Sequence, residues 1–124
     1  MRQVGKLNND VITALKLNMA PGTPIYIGNS NENHIKKRHP FEYDKYYNKI
    51  PNIISAPDYI GLNPKDQSIQ YVKEFKVDSE YIRVAIKITN NNKCFVKTLH
   101  LLSTYNAERY IKKGTLIKLD NNYK

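Results

Sequence analysis

The stretch YIRVAIKIT, residues 81–89, alternates apolar and polar residues without a break. A period of two demands an extended strand, because only there do successive side chains point to opposite faces. Ile82, Val84, Ile86 and Ile88 then share one face, and Tyr81, Arg83, Ala85, Lys87 and Thr89 share the other. A strand with one wholly aliphatic face needs a sheet beside it and a layer of helices over it. The flanking sequence supplies the sheet. DYIGL, the turn NPKD, SIQYVKEF and the turn VDSE come before it, and NNNK, CFVKTLHLL and TLIKL come after. The asparagines of NNNK tolerate the left-handed backbone of a tight turn.

Before Asp58 the period is helical. NDVITALKL puts Val11, Ile12 and Leu15 on one face behind a capping Asn8 or Asn9, and MAPGTP breaks it. After a short strand, PIYIG, the run GNSNENHIKKR starts a helix with Asn29 or Ser30 as cap and Glu32 in its first turn. Pro40 disfavours helical geometry at His39, so this helix ends near Arg38 and Pro40 opens the next. There Tyr43, Tyr46, Tyr47 and Ile50 recur at i, i+3, i+4 and i+7. We read this stripe as core packing with hydroxyls at the rim, not as a base-stacking platform. NIISA adds a turn between Pro51 and Pro57, and a helix over NAERYIKK stops at Gly114. Helices first and hairpin-linked strands afterwards predict an α+β fold, with N-terminal helices packed on a four- to five-stranded antiparallel β-sheet. The 124 residues suit one domain, with a helical segment over 1–24 and a core over 25–119.

The net charge of +9 points to a polyanionic partner. Nucleic acid is favoured over a membrane surface, because neither a basic amphipathic helix nor a polybasic tail is evident. The single cysteine, Cys94, excludes an internal disulfide and a cysteine-based zinc site. The chain shows neither a signal-peptide core nor an apolar run of membrane-spanning length. The expectation is a soluble, cytoplasmic protein.

On the polar face of the alternating strand, Arg83 and Lys87 point the same way. In the following strand Thr98 and His100 share one face, and Lys97 shares the other with Phe95, Leu99 and Leu101. With the aliphatic residues turned inward, Thr98 and His100 join the cations, and Lys73 is a candidate from the strand before. A solvated face with ordinary lysines is the plainer alternative.

SNENHIKKRHP carries two histidines, His34 and His39. Five residues turn a helix through about 140°, so their rings diverge, and Lys36, Lys37 and Arg38 repel a dication. We therefore expect no metal. Histidine, lysine, arginine and threonine do suit metal-free RNA cleavage, which needs a base, an acid and cations around a phosphate.

IYIGNSNENHIKKRHP, YYNKIPNIISAPDYIGLNPKDQSIQYVKEF, YIRVAIKIT and FVKTLHLL together resemble the phage-associated members of the barnase–EndoU–colicin–RelE superfamily of small nucleases, over about residues 25 to 116. The resemblance implies a single nuclease domain over 1–124 and metal-independent RNA cleavage by transesterification, with no cofactor. The family's paired histidines fall on His34 and His39, its K-E-F element on Lys73, a strand cation on Lys87, and a basic–Thr pair on Lys97 and Thr98. Lysine where relatives carry arginine keeps the charge and loses the fork that grips a phosphate. The expected catalytic set is His34, His39, Lys73, Lys87 and Thr98, with Arg83, Lys97, Tyr71 and Arg38 binding substrate. The expected partner is RNA, with tRNA preference and an immunity protein or antitoxin left open. The expected role is a toxin or effector of phage or mobile-element origin, and the alternative is an inactive module that binds RNA or protein.

Overall fold

A computed structural model describes residues 1–119. Strand β1 (Arg2–Lys6), helix α1 (Asn9–Leu15) and strand β2 (Pro24–Ile27) open the chain. Helices α2 (Asn29–Arg38) and α3 (Pro40–Tyr46) come next, then a 3-10 turn (Tyr47–Lys49) and α4 (Ile50–Ser55). The remainder is β3 (Tyr59–Leu62), β4 (Ile69–Phe75), β5 (Glu80–Ile88), β6 (Cys94–Leu102), α5 (Thr104–Lys113) and β7 (Leu116–Lys118).

The strands form one seven-stranded sheet in the order β1-β2-β6-β5-β4-β3-β7. The sheet is therefore larger than the four to five strands predicted, and it is mixed, because β2 runs parallel to β6 at Ile25–Cys94 and Tyr26–Phe95. Pairing between strands far apart in the chain leaves no mark on either segment, so its direction is invisible in sequence. Strand β1 also adds a strand to residues 1–24, read as a helical segment. RQVGK has one buried residue, Val4, and contains a glycine, so it lacks a strand's alternation. Gly5 is there because α4 passes close beneath; a Cβ at that position would lie 2.9 Å from the Ile54 side chain.

Helices α1 to α4 cover one face of the sheet. Val11, Ile12, Ile35, Tyr46, Ile50 and Ile53 meet Ile82, Val84 and Ile86 of β5 in one apolar cluster. Each such aliphatic side chain contributes about 1.5–3 kcal/mol when fully buried. The tyrosine stripe packs as expected. Tyr46 is buried and its hydroxyl donates to Glu80, while Tyr43 and Tyr47 sit at the rim, where Tyr43 donates to Glu32 at 2.9 Å and Tyr47 accepts from Arg2 at 2.9 Å. The other face is only partly covered. Ala107 of α5 packs on Val72, Leu102 and Leu116, with Tyr59, Tyr81, Tyr110 and Ile111 around them.

Strand β6 is irregular in two respects. Its pairing with β5 slips by one residue between Ala85–Thr98 and Ile86–Val96, so Lys97 is an extra residue in the strand. Such a bulge flips the alternation. Val96 and Leu99, three apart, both enter the core, and Phe95 faces away from Leu99 rather than with it. Second, β2 accompanies β6 only as far as Phe95. Beyond that point two side chains replace a neighbouring strand. Asn31 of α2 donates its amide to the Val96 carbonyl at 2.7 Å, and the Glu42 carboxylate of α3 accepts from the Leu101 N–H at 3.0 Å. Among the described residues no helix is long and apolar enough to cross a membrane.

Candidate active site

The break between α2 and α3 falls where Pro40 requires it. His39 closes α2 and opens α3 at φ −134° and ψ 61°, outside helical geometry. Its N–H still donates to the Ile35 carbonyl, and its carbonyl accepts from Tyr43 N–H. Because Glu42 and Asn31 hold the two helices along β6, the His39 ring lies over that strand. It stacks on His100, centroid to centroid 5.5 Å, at an interplanar angle of 30°. The Glu42 carboxylate stands 3.9 Å from His39 Nδ1.

The register sets Arg83 opposite His100 and Ala85 opposite Thr98, which resolves the choice of face left open by the sequence. Arg83 is the hub. Its Nε donates to His100 Nε2 at 3.0 Å, its Nη2 lies 2.6 Å from the same nitrogen, and its Nη1 donates to Gln70 Oε1 at 2.8 Å. A guanidinium carries five N–H donors, and His100 and Gln70 take three of them. An arginine donating to Nε2 requires that nitrogen to be the acceptor, which places the proton of the neutral ring on Nδ1. Burial first, then the positive charge of Arg83 and the neighbouring His39, push the His100 pKa down to about 4, against a smaller opposing pull from Glu42. His100 is therefore a neutral imidazole at neutral pH. Burial also lowers the pKa of Arg83, against the pull of Tyr110, though an arginine stays charged regardless.

The β3–β4 loop walls this cluster. Asn63 and Asp66 fold it with their own side chains, accepting from Lys65 N–H at 2.8 Å and Ser68 N–H at 2.9 Å. Asp66 also pairs with Lys97, which the bulge carries toward it, and that contact holds the carboxyl well below the usual carboxylate range. Asn63, Asp66, Ser68, Gln70, Lys97, Thr98 and His100 surround a cavity of about 170 Å³ with Arg83 in its lining. A second cavity, of about 330 Å³, lies on the α5 side and shares Asn63, Gln70 and Arg83 with the first.

The sequence-predicted residues divide by face. His39, Arg83, Thr98 and Lys97 come together around His100. Lys87 is exposed on the same face, opposite Phe95, and lines a separate cavity of about 410 Å³ with Asp66 and Lys97. Arg38 is exposed at the end of α2, next to His39. His34 is exposed on α2, and among the described residues it has no ring contact, hydrogen bond or ion pair. Lys73 and Tyr71 lie elsewhere. They pair with Ile82 and Val84, residues of the helix-covered face. The Lys73 ammonium donates to the Ala56 carbonyl at 2.7 Å, closing the end of α4. Tyr71 is fully buried, its hydroxyl has no hydrogen-bond partner among the described residues, and burial raises its pKa. Sequence reasoning assigned no role to His100, Gln70 or Asp66. The alternation of Thr98 and His100 placed His100 near the cations, but only the register shows it bound to Arg83.

A small α+β protein whose half-bare sheet face gathers two imidazoles, a guanidinium, a hydroxyl and lysines has the makings of a nuclease. The family model of the phage-Barnase-EndoU-ColicinE5/D-RelE like nuclease 3 matches residues 2–116, and the chain belongs to that family. No curated protein and no solved structure matches it.

Proposed function

We propose that this protein is an endoribonuclease that cleaves RNA by attack of the 2′-hydroxyl on the adjacent phosphorus, without a metal ion. The observation that carries this reading is the stacked His39–His100 pair, with His100 held against Arg83 in the lining of a polar cavity. RNA transesterification needs a base for the 2′-oxygen, an acid for the leaving 5′-oxygen and positive charge for the phosphorane. His100, neutral at pH 7, suits the base. His39, with Glu42 as counter-charge, suits the acid. When a phosphate enters, Arg83 turns its donors to the non-bridging oxygens and releases His100 Nε2. That nitrogen takes the 2′-hydroxyl proton as the O2′–P bond forms. The P–O5′ bond breaks and O5′ takes the His39 proton. The products are a 2′,3′-cyclic phosphate and a 5′-hydroxyl end. Thr98 and Lys97 hold the phosphate, with Arg38 and Lys87 contacting flanking ones. His34, Lys73 and Tyr71 have no part in the chemistry. Among the described residues no three His, Cys, Asp or Glu side chains converge as a metal-binding set.

The phage association of the family supports a toxin or effector acting on cytoplasmic RNA. The test is incubation with total RNA in EDTA, followed by mapping of the ends, beside a substrate with a 2′-deoxy sugar at the cut site. Cyclic phosphate ends that form in EDTA, and an uncut deoxy substrate, are expected. Efficient cutting of the deoxy substrate, or activity that returns only with an added metal, rejects the mechanism. A second reading has its own observation. The lone pair of His100 Nε2 is occupied by Arg83, and a cluster that stayed locked in this way would bind RNA without cutting it.

A further inference from the structure

The second cavity on the sheet face shares Arg83, Asn63 and Gln70 with the site above, and the rest of its lining differs from the first. Lys65 comes from the β3–β4 loop, Arg109 and Lys113 from α5, and Arg83 from β5, with Tyr110 and Thr115 between them. Arg109 and Lys113 are four apart, so one face of α5 presents both. Among the described residues no carboxylate lines this cavity, whereas the first contains Asp66, and none of its four cations is in an ion pair. Arg109 lies over the Tyr110 ring at 4.9 Å and donates to Asn106 at 3.3 Å, while both Lys65 and Lys113 are exposed. Lys113 also sits in the last turn of α5, where a cation complements the helix dipole. That accounts for Lys113 alone. Arg109 is a turn earlier, and Lys65 belongs to another element.

Four cations that share one cavity and have no counter-charge among the described residues repel one another until an anion arrives. The two cavities meet at Arg83, so a chain of phosphates can run from one to the other without leaving the sheet face. We propose that Lys65, Arg109 and Lys113 form a second phosphate subsite, which makes the substrate a single-stranded RNA segment lying across Arg83 rather than a dinucleotide-sized ligand. The inference rests on RNA as the ligand, and it does not depend on cleavage.

The experiment measures binding of uncleavable 2′-O-methyl RNA, a dinucleotide and an octanucleotide, by fluorescence anisotropy across a salt series. The wild type is expected to bind the octanucleotide far more tightly. In the Arg109→Gln, Lys113→Gln double variant, octanucleotide affinity falls about tenfold or more and the length preference shrinks. The slope of log affinity against log salt falls by roughly 1.4, from two lost contacts to a single strand. The charge-matched double variant Lys76→Gln, Lys112→Gln alters two exposed lysines that do not line the cavity, one of them on α5 itself, and is expected to keep the wild-type slope. Lys65→Gln gives an independent reading from the loop side, with a slope change of roughly 0.7. Equal behaviour of the two double variants overturns the subsite. So does a wild type that binds the dinucleotide as tightly as the octanucleotide, or binds neither. A length-dependent loss supports it even where RNA is never cut, an outcome that would refute only the catalytic reading.

Discussion

One imidazole should carry a share of this fold's weakness to acid, and replacing that imidazole should remove that share. His100 has its pKa pushed from 6.5 down to about 4 in the folded protein. In the unfolded chain it returns to about 6.5. Between those values the unfolded state binds a proton that the folded state refuses, so stability rises with pH across that window and falls as pH drops through it. The full difference corresponds to about 3 kcal/mol. By linkage, stability at about pH 5 should be about 2 kcal/mol lower than above pH 7.5 from this residue alone. His100→Gln keeps an acceptor within reach of Arg83 and does not titrate. The assay is urea denaturation of wild type and variant at both pH values, with the difference between the two proteins as the readout. Carboxylates such as Asp66 and Glu80, whose pKa values are lowered by their partners, contribute equally to both and cancel. The wild type should lose about 2 kcal/mol more than the variant on acidification. An equal loss in both would show that His100 titrates normally and that its contact with Arg83 is not the one described.

Three further outcomes are expected from named contacts. His39→Ala should reduce RNA cleavage by about 10² to 10⁴ with the fold intact, whereas His34→Ala should stay within a few-fold, as read by initial rates and circular dichroism. Asp66→Asn should change stability by under about 1 kcal/mol, since the pair with Lys97 is exposed, yet tighten RNA binding by removing the carboxylate that lines the first cavity; unchanged affinity in a titration would count against Lys97 as a phosphate contact. Gly61→Ala should destabilise by about 1–3 kcal/mol in chemical denaturation, because its Cβ would stand 2.1 Å from the Thr115 carbonyl where β7 joins β3.

Most elements could be read from the sequence because each carries its own signal. The period of β5, the proline after His39, and the glycine after α5 each act locally, and each appears where it was expected. The extent of the sheet was not legible, because β1 has a single buried residue and β2 meets β6 across a long stretch of chain. The site divided in the same way. Alternation pairs Arg83 with Lys87 and Thr98 with His100, but only the register puts the two pairs on one face. Lys73 and Tyr71 fall on the other face for the same reason: the face a strand presents depends on a register fixed by its neighbours. The bulge at Lys97 is a one-residue slip in pairing that no residue type announces, and it moves Phe95 to the opposite side from the one expected.

The bare half of β6 has a consequence for the protein's behaviour in concentrated solution. A strand that loses its neighbour midway offers carbonyls and N–H groups to any extended chain, the same chemistry that seeds fibrils. Asn31 and Glu42 occupy two of those positions from the helix side, so the seam is closed by side chains rather than by another strand. Those two residues thus guard the domain against sticking to copies of itself, and the same two contacts set where the His39 ring comes to rest.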